Sequence, residues 1–334
     1  MTGLLPPTIL RILPQLVTLA IVLILNVILF PSFFDISFQN ERLYGSLIDV
    51  LNRGAPVALL AVGMTLVIAT KGIDLSVGAV VAICGAVAAS SIADGHSVVA
   101  AVLAALAVGA LCGIWNGFLV AVLGIQPIIA TLVLMVAGRG IAQLITEGAI
   151  LTFTDQGLIF IGSGTLMGLP MPIVIWVVFG LLVALLVRRT ALGLLIESIG
   201  INRQASQLAG VRTTALLITS YLVAGLCAAI AGLIVAADIK GADANNAGLW
   251  LELDAILAVV VGGNSLLGGR FSILGSLLGA VIIQAINTGI LTSGFPPEYN
   301  LIIKAVIIVA ILVIQSPRIG ELTAFLKSKR AGEG

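Results

Sequence analysis

Ten stretches of mostly apolar residues follow one another along the chain, near 10–30, 48–70, 74–93, 97–123, 127–147, 171–188, 213–237, 252–267, 271–293 and 299–316. A helix needs about 20 such residues to cross the ~30 Å hydrocarbon core of a bilayer. Only 9% of the 334 residues are charged while 60% are hydrophobic. A soluble domain carries about 25% charged residues, so this chain lacks the polar coat that folding in water requires. It reads as all-α: a polytopic membrane helix bundle with about ten transmembrane helices, in one transmembrane domain covering 1–334. The first run follows Arg11 and is too long for the apolar core of a secretion signal. Phe30-Pro31-Ser32-Phe33-Phe34 is no small-residue cleavage site, so the run is expected to stay as an anchor.

Basic residues set the expected orientation. With the N-terminus in the cytoplasm, Arg11, Lys71, Arg188, Arg189, Arg203, Arg212, Arg270, Arg318, Lys327, Lys329 and Arg330 all fall inside. Arg42, Arg53 and Lys240 fall outside, and Arg139 and Lys304 lie within helices, Lys304 snorkelling outward. Both termini are then cytoplasmic, with a basic tail at 317–334. The net charge of +1 offers no electrostatic footprint for nucleic acid.

Small residues recur every four positions at Gly109, Gly113 and Gly117, at Gly78, Ala82 and Ala86, and at Ala224, Ala228 and Gly232. Gly275 and Gly279 continue the pattern. In lipid, such stripes let helix backbones approach and gain dispersion contact. Cys84, Cys112 and Cys227 sit inside apolar runs and read as small buried hydrophobes. His96 reads as a solvated turn residue. A loose internal echo joins "VIATKGIDLSVGAVVAICGAV" to "VVVGGNSLLGGRFSILGSLLGAV": an apolar run, a glycine-broken polar turn, then a small-residue helix.

The longest basic loop, "RRTALGLLIESIGINRQASQLAGVRT", spans 188–213. Asn202 suits a helix N-cap and Gly210 a C-terminal stop. Between them Ala205, Leu208 and Ala209 share a face. A helix of about seven residues is marginal alone in water, so something should pack against that face. Two readings stand: a linker on the membrane surface, or a docking helix for a cytoplasmic protein. The chain carries no phosphate-binding loop of its own, so any ATPase that drives it is a separate polypeptide.

In "ATKGIDLSVGA", Lys71 and Asp74 interrupt the apolar pattern. A charge at the bilayer centre costs about 2.5–3.5 kcal/mol, most of which a turn at the interface avoids. Gly72 permits the turn. Asp74, with Ser76, reads as a cap on the following helix, weakly paired with Lys71. The other reading is a gate, in which the break lets two helix halves pivot. Arg139 and Gln143, four apart, either line a path or make an interhelical hydrogen bond. Asn116, Asn287 and Thr288 are weaker candidates of the same kind.

"GMTLVIATKGIDLSVGA", "GINRQASQLAG" and "ELDAILAVVVGGNSLLGGRFSILGSLLGA" stand in order along the chain. Together they resemble the ribose-type family of bacterial ABC sugar-importer permeases, from Leu47 to Ile314. "AADIKGADANNAGLWLELDAILAVVVGG" looks especially like the permeases of galactofuranose importers. The resemblance implies a multi-pass permease of the bacterial inner membrane that moves a monosaccharide such as galactofuranose or ribose. It implies a second permease subunit, homo- or heterodimeric, a separate ABC ATPase that binds the ATP, and a periplasmic sugar-binding protein. The chain itself would hold no cofactor or metal and do no covalent chemistry. By this resemblance a coupling loop at about 188–212 contacts the ATPase, with Glu197, Gly200, Ile201, Asn202, Arg203, Ala205, Leu208 and Gly210 as candidates. Asn245, Asn246 and Trp250 are candidates for an outer sugar mouth, for the delivery protein, or for a solvated loop on an acidic face with Asp238, Asp243, Glu252 and Asp254. The family usually reads Gly-Gly-Ile-Asp-Leu-Ser where this chain has Lys71 first. If that position needs a positive φ, lysine is strained there. The rival function is ion-coupled secondary transport, which calls for carboxylates deep in the helices; a membrane enzyme is the second rival.

Overall fold

The computed structural model describes residues 7–39, 42–294 and 299–315. The expected tail at 317–334, with Arg318, Lys327, Lys329 and Arg330, lies outside the described residues, as does the side chain of Arg11. Fourteen α-helices are present among the described residues: α1 (Pro7–Leu29), α2 (Ser46–Arg53), α3 (Ala55–Ala69), α4 (Val77–Ala93), α5 (Val98–Ala121), α6 (Pro127–Ile145), α7 (Gln156–Ser163), α8 (Met171–Arg189), α9 (Leu192–Ile201), α10 (Arg203–Leu208), α11 (Thr213–Ile239), α12 (Leu251–Val261), α13 (Ile273–Thr292) and α14 (Asn300–Gln315). Three two-stranded antiparallel ladders decorate the loops.

Six of these helices are long and apolar enough to cross a membrane: α1, α5, α6, α8, α11 and α13. A seventh counts if α2 and α3 form one span, bent by 43°. The run predicted at 48–70 breaks there because Pro56, in the first turn of α3, cannot continue the hydrogen-bond ladder backwards. The run predicted at 252–267 is not one span. α12 has 11 residues, about 16 Å of rise, roughly half the hydrocarbon core. It stops at Gly262 and Gly263, where the latter takes φ +83°. Besides the short helix expected in the basic loop, two helices outside the ten predicted runs are present among the described residues: α7, capped by the Asp155 carboxylate on the Gly157 and Leu158 amides, and α9.

α3 is apolar on every side, and all of its residues are buried. Such a helix has no face for solvent or lipid and belongs at the centre of a bundle. α11, α12, α13 and α8 pack around it. The glycine stripe of α5 lies on α11: a Cβ on Gly109 would stand 2.6 Å from the Gly225 carbonyl, and one on Gly117 2.8 Å from the Ile218 Cα. Gly275 and Gly279 press likewise on Gly262 and Ala258 of α12. Close backbone approach, not side-chain volume, sets these crossings. Cys84 and Cys227 are buried and Cys112 half-buried, all as free thiols. His96 is exposed in its turn, its amide donating to the Ser91 carbonyl at 3.0 Å.

Candidate functional site

The three quoted motifs lie far apart in sequence and meet at one end of the bundle. α3 ends in a reversal with two diagnostic bonds: the Gly72 amide donates to the Val67 carbonyl at 3.0 Å and the Lys71 amide to the Ile68 carbonyl at 2.9 Å. This is the double C-cap that usually places glycine in the left-handed position. Here that position is Lys71, at φ +66°. Gly72 is needed for a different reason, since a Cβ on it would stand 2.6 Å from the Tyr221 hydroxyl.

From this turn the Lys71 ammonium donates to the Ile201 carbonyl at 3.2 Å. The Ala69 carbonyl accepts from the Gly269 amide at 2.9 Å, joining the α3–α4 turn to the α12–α13 turn. Gly200 fills the remaining angle: any Cβ there would collide with the Ala69 carbonyl and the Gly269 amide. The end of α9 is thus seated directly on the backbone of both turns. Arg203 adds a bond from its guanidinium to the Ala121 carbonyl at 3.1 Å, at the end of α5.

α10 projects from this junction. Asn202 caps it as expected, its side-chain oxygen accepting from the Ala205 amide at 3.0 Å. Gly210 ends it at φ +86°. The helix has six residues, one fewer than predicted, because Ala209 is already the C-cap. Ser206 is buried against the body, whereas Ala205 is exposed and Leu208 is 91% exposed. Ile201 is exposed and Glu197 half-buried beside a cavity.

Asp74 departs from the interfacial cap predicted for it. It is only 2% exposed, and its side chain points away from Lys71. Its Oδ1 accepts from the Ser76 amide at 2.9 Å, the Ser76 hydroxyl at 2.6 Å and the Asn116 amide at 3.4 Å. The expected Lys71–Asp74 pair is absent among the described residues. The left-handed Lys71 sends its side chain toward α9, while Asp74 turns inward. Asp74 stands two residues ahead of the Ser76 N-cap and meets that cap residue rather than any free amide of the first turn, so it caps α4 indirectly. Asn116 completes the knot by donating to the Ser76 hydroxyl at 2.8 Å.

The other candidates sit elsewhere. Arg139 lies about 18 Å along α6 from Pro127, which adjoins the Asp74 turn through Thr131. Its guanidinium donates to the Ala244 and Ala247 carbonyls at 3.0 and 2.6 Å. Gln143 donates to the Asn245 side-chain oxygen at 2.8 Å. The shared face read in the sequence is correct, and it serves to hold the 241–250 loop. Asp243 accepts from the backbone amides of Asn245 and Asn246 and from the Asn246 side chain at 2.8 Å. That side-chain bond, foremost, holds its carboxyl below the usual carboxylate range. Trp250 is half-exposed and left-handed, at φ +67°, where the loop enters α12.

Two expectations about charge are overturned. Glu252 and Asp254 are not on an outer acidic face; they are 4% and 9% exposed in the first turn of α12. Lys304 does not snorkel outward. It is buried and ion-paired with Asp254, since the short α12 begins inside the bundle and α14 must meet its charged start there. Sequence periodicity could not reveal this pair, because the two residues lie 50 apart. Asn287 Oδ1 and Thr288 Oγ1 are buried without hydrogen-bond partners among the described residues.

Buried carboxylates are what ion coupling calls for, and Asp74, Glu252 and Asp254 are buried, so similarity to known proteins decides between the readings. The chain is 58% identical over 316 residues to the galactofuranose transporter permease protein YtfT of Escherichia coli, covering 95% of this chain and 93% of that one. It is 43% identical over 323 residues to the fructose import permease protein FruF of Bifidobacterium longum, at 95% and 91% coverage. It is 38% identical over 308 residues to the ribose import permease protein RbsC of Escherichia coli, at 91% and 93% coverage. No solved structure matches. These relatives are transport permeases rather than enzymes, and none is an ion-coupled carrier by its name. Residues 46–312 match the family described as the permease component of the branched-chain amino acid transport system, and the chain belongs to that family of membrane-embedded transport permeases.

Proposed function

We propose that the chain is the permease subunit of an ABC importer for a monosaccharide, galactofuranose or a similar sugar, driven by a separate ATPase. The supporting observation is the junction at Gly200. α10 presents an exposed Leu208 and Ala205, and its root rests on the turns of both glycine-broken hairpins. A push on α10 is therefore delivered at once to α3, α4, α12 and α13, with little side-chain compliance between. This mechanical reading gives the other coupling candidates their roles: Asn202 and Gly210 set the ends of the lever, and Lys71, Ile201 and Arg203 tie it down.

In this proposal the lever faces the cytoplasm, both termini lie there, and the bundle makes about ten passages in the inner membrane. Helices α4 and α14, shorter than a full span, contribute passages of their own, and α12 contributes about half of one. A second permease subunit completes the pathway, and a periplasmic binding protein delivers the sugar to the 241–250 side. Asp74 with Ser76 and Asn116 serves as the pivot of the gate. Arg139, Gln143, Asn245, Asn246 and Trp250 shape the outer mouth, the first two by holding the loop.

The test is a pull-down with the cognate ABC ATPase. Leu208→Glu is expected to abolish capture while leaving the melting temperature unchanged, because the side chain touches solvent only. Unchanged capture would remove α10 from the coupling role. Thermal stabilisation of the cognate binding protein by a sugar panel identifies the substrate. Uphill sugar accumulation by the purified chain alone in vesicles would overturn the ABC reading.

A further inference from the structure

The 241–250 segment does not stay at the outer end of the bundle. It leaves the ladder that pairs Gly241 and Ala242 with Thr152 and Leu151 and runs down beside α4. A Cβ on Gly248 would collide with the Gly78 carbonyl and stand 3.1 Å from the Val81 Cβ. Val81 in turn packs on α11, where a Cβ on Gly232 would stand 2.5 Å from the Val81 carbonyl oxygen. α11 has 27 residues. It rises about 40 Å and exceeds the ~30 Å hydrocarbon core by about 5 Å at each end. Gly232 stands two turns, about 10 Å, before the end of α11 at Ile239. Gly248, level with it, therefore lies about 5 Å inside the core. Glu252, whose carboxylate a Cβ on Gly78 would strike, lies deeper still.

Irregular backbone at that depth does not face lipid; it is buried in protein or lines a water-filled cavity. Within this chain the segment is left uncovered on one side. Asn245, Asn246, Leu249 and Trp250 are exposed, and Leu253, in the first turn of α12, is 45% exposed. Beside them α6 presents an open face. Val136 is 73% exposed, and a Cβ on Gly140 would meet nothing within 4 Å. A hollow of about 850 Å³ lies between this face and Asn245. The Arg139 guanidinium uses only Nη1 to hold the Ala244 and Ala247 carbonyls, which leaves its other N–H groups free to donate toward the hollow.

We infer that a second membrane-embedded permease subunit covers this face, packing on α6 and the dipping segment, with the hollow as the sugar path between the two subunits. Depth selects the occupant. Acyl chains offer no hydrogen-bond partners to a loop, and a water-filled hollow open sideways to lipid is not stable. A soluble ATPase or binding protein does not enter the hydrocarbon core. Another membrane helix does, and Gly140 allows it a close backbone approach. The exposed faces around Ile24 of α1 and Leu182 of α8 differ: they are 57% and 51% exposed but lie on unbroken helix, so lipid suits them. The inference rests on the importer reading only for the kind of partner; the need for protein cover comes from depth.

The complete importer, reconstituted in vesicles, is tested with a photo-cross-linking benzoylphenylalanine at one position at a time. Val136 and Leu253 are expected to capture a permease subunit, a second copy or a sister chain, identified by its peptides. Ile24 and Leu182 should capture lipid only. Gly140→Phe should abolish capture from Leu253 while leaving the melting temperature of the purified chain unchanged, because its side chain enters open space. If that variant does lower the melting temperature, the cross-links at Val136 and Leu253 decide by themselves. Lipid alone at both positions, or capture of a permease subunit from Ile24 or Leu182 instead, overturns the inference. Capture of the binding protein at Leu253 does so too, by taking the segment out of the core. Unchanged capture in Gly140→Phe removes α6 from the seam. Sugar-dependent ATP hydrolysis by the same importer keeps two failures apart. Intact hydrolysis with lipid-only capture removes this face and leaves the importer reading standing, whereas uphill sugar accumulation by the chain alone overturns that reading and leaves the protein cover to the cross-links.

Discussion

The two glycine-broken turns of this permease share one backbone device and dress it differently. α3 ends with bonds from Lys71 to Ile68 and from Gly72 to Val67; α12 ends with bonds from Gly263 to Val260 and from Asn264 to Val259, at 2.9 and 3.2 Å. The left-handed residue is Gly263 in the second turn and Lys71 in the first. The polar group behind the turn is the neutral Asn264 in one and the carboxylate Asp74 in the other. Asn264 is held between Ser272 and Ser276, much as Asp74 is held by Ser76 and Asn116. A neutral amide is therefore enough to organise such a turn. The first hairpin carries two features that folding alone does not require: a strained lysine and a buried carboxylate. The lysine reaches the Ile201 carbonyl at the end of α9, whereas Asp74 turns inward to Ser76 and Asn116; in the function proposed above, that lysine ties the turn to the lever.

The comparison breaks most severely at the contact between the turns. Gly200→Val is expected to cost about 4 kcal/mol or more, an effect reserved for severe overpacking, and to abolish uptake in reconstituted vesicles. Gly210→Ala, with open space around it, should cost only about 1 kcal/mol through its φ. Equal losses in the two variants would show that the junction is not sterically tight.

The start of α12 is pinned by an ion pair, a feature that the start of α3 lacks. Lys304→Met leaves Asp254 buried and unpaired, so a loss of about 3–5 kcal/mol is expected in thermal or denaturant melts. The double variant K304M/D254L should recover most of it. If it does not, the pair's geometry rather than its charge balance supports α12.

Making the first turn resemble the second sharpens the contrast. Asp74→Asn should keep the protein folded in the membrane and lower uptake about tenfold, near 1.4 kcal/mol in barrier. Uptake at the wild-type rate would leave Asp74 as a structural residue only. Lys71→Gly relieves the left-handed strain and should raise stability by about 1 kcal/mol. The same change frees the Ile201 carbonyl, so coupling between ATP hydrolysis and uptake should fall as stability rises.

The smallest effect concerns the 241–250 loop. The Asp243 carboxyl is held below its usual range by its bond to Asn246, then by the loop amides. A depressed carboxylate stabilises fully above its unfolded pKa of about 3.9 and loses that contribution as pH falls through the folded value. The protection of the Asn245 and Asn246 amides, relative to their intrinsic exchange, should fall only below about pH 4, and Asp243→Asn should flatten that dependence.

Much of this was legible because local chemistry speaks through sequence. The Asn202 cap, the Gly210 stop and the shared Arg139–Gln143 face are contacts between near neighbours along a helix, and spacing reveals such contacts. The echo between hairpins was legible for the same reason. The Lys304–Asp254 pair, the inward turn of Asp74 and the shortness of α12 were not, because each depends on which distant helix lies alongside.

Length and oiliness of the apolar runs determined by themselves that this chain lives in a bilayer as packed helices, since no other arrangement satisfies so many backbone groups away from water. Small residues at every fourth position determined that those helices would touch closely. Only the tertiary structure decided that Ala69, Gly200 and Gly269 meet, because a glycine's contribution is the space it leaves, and sequence does not say what fills that space.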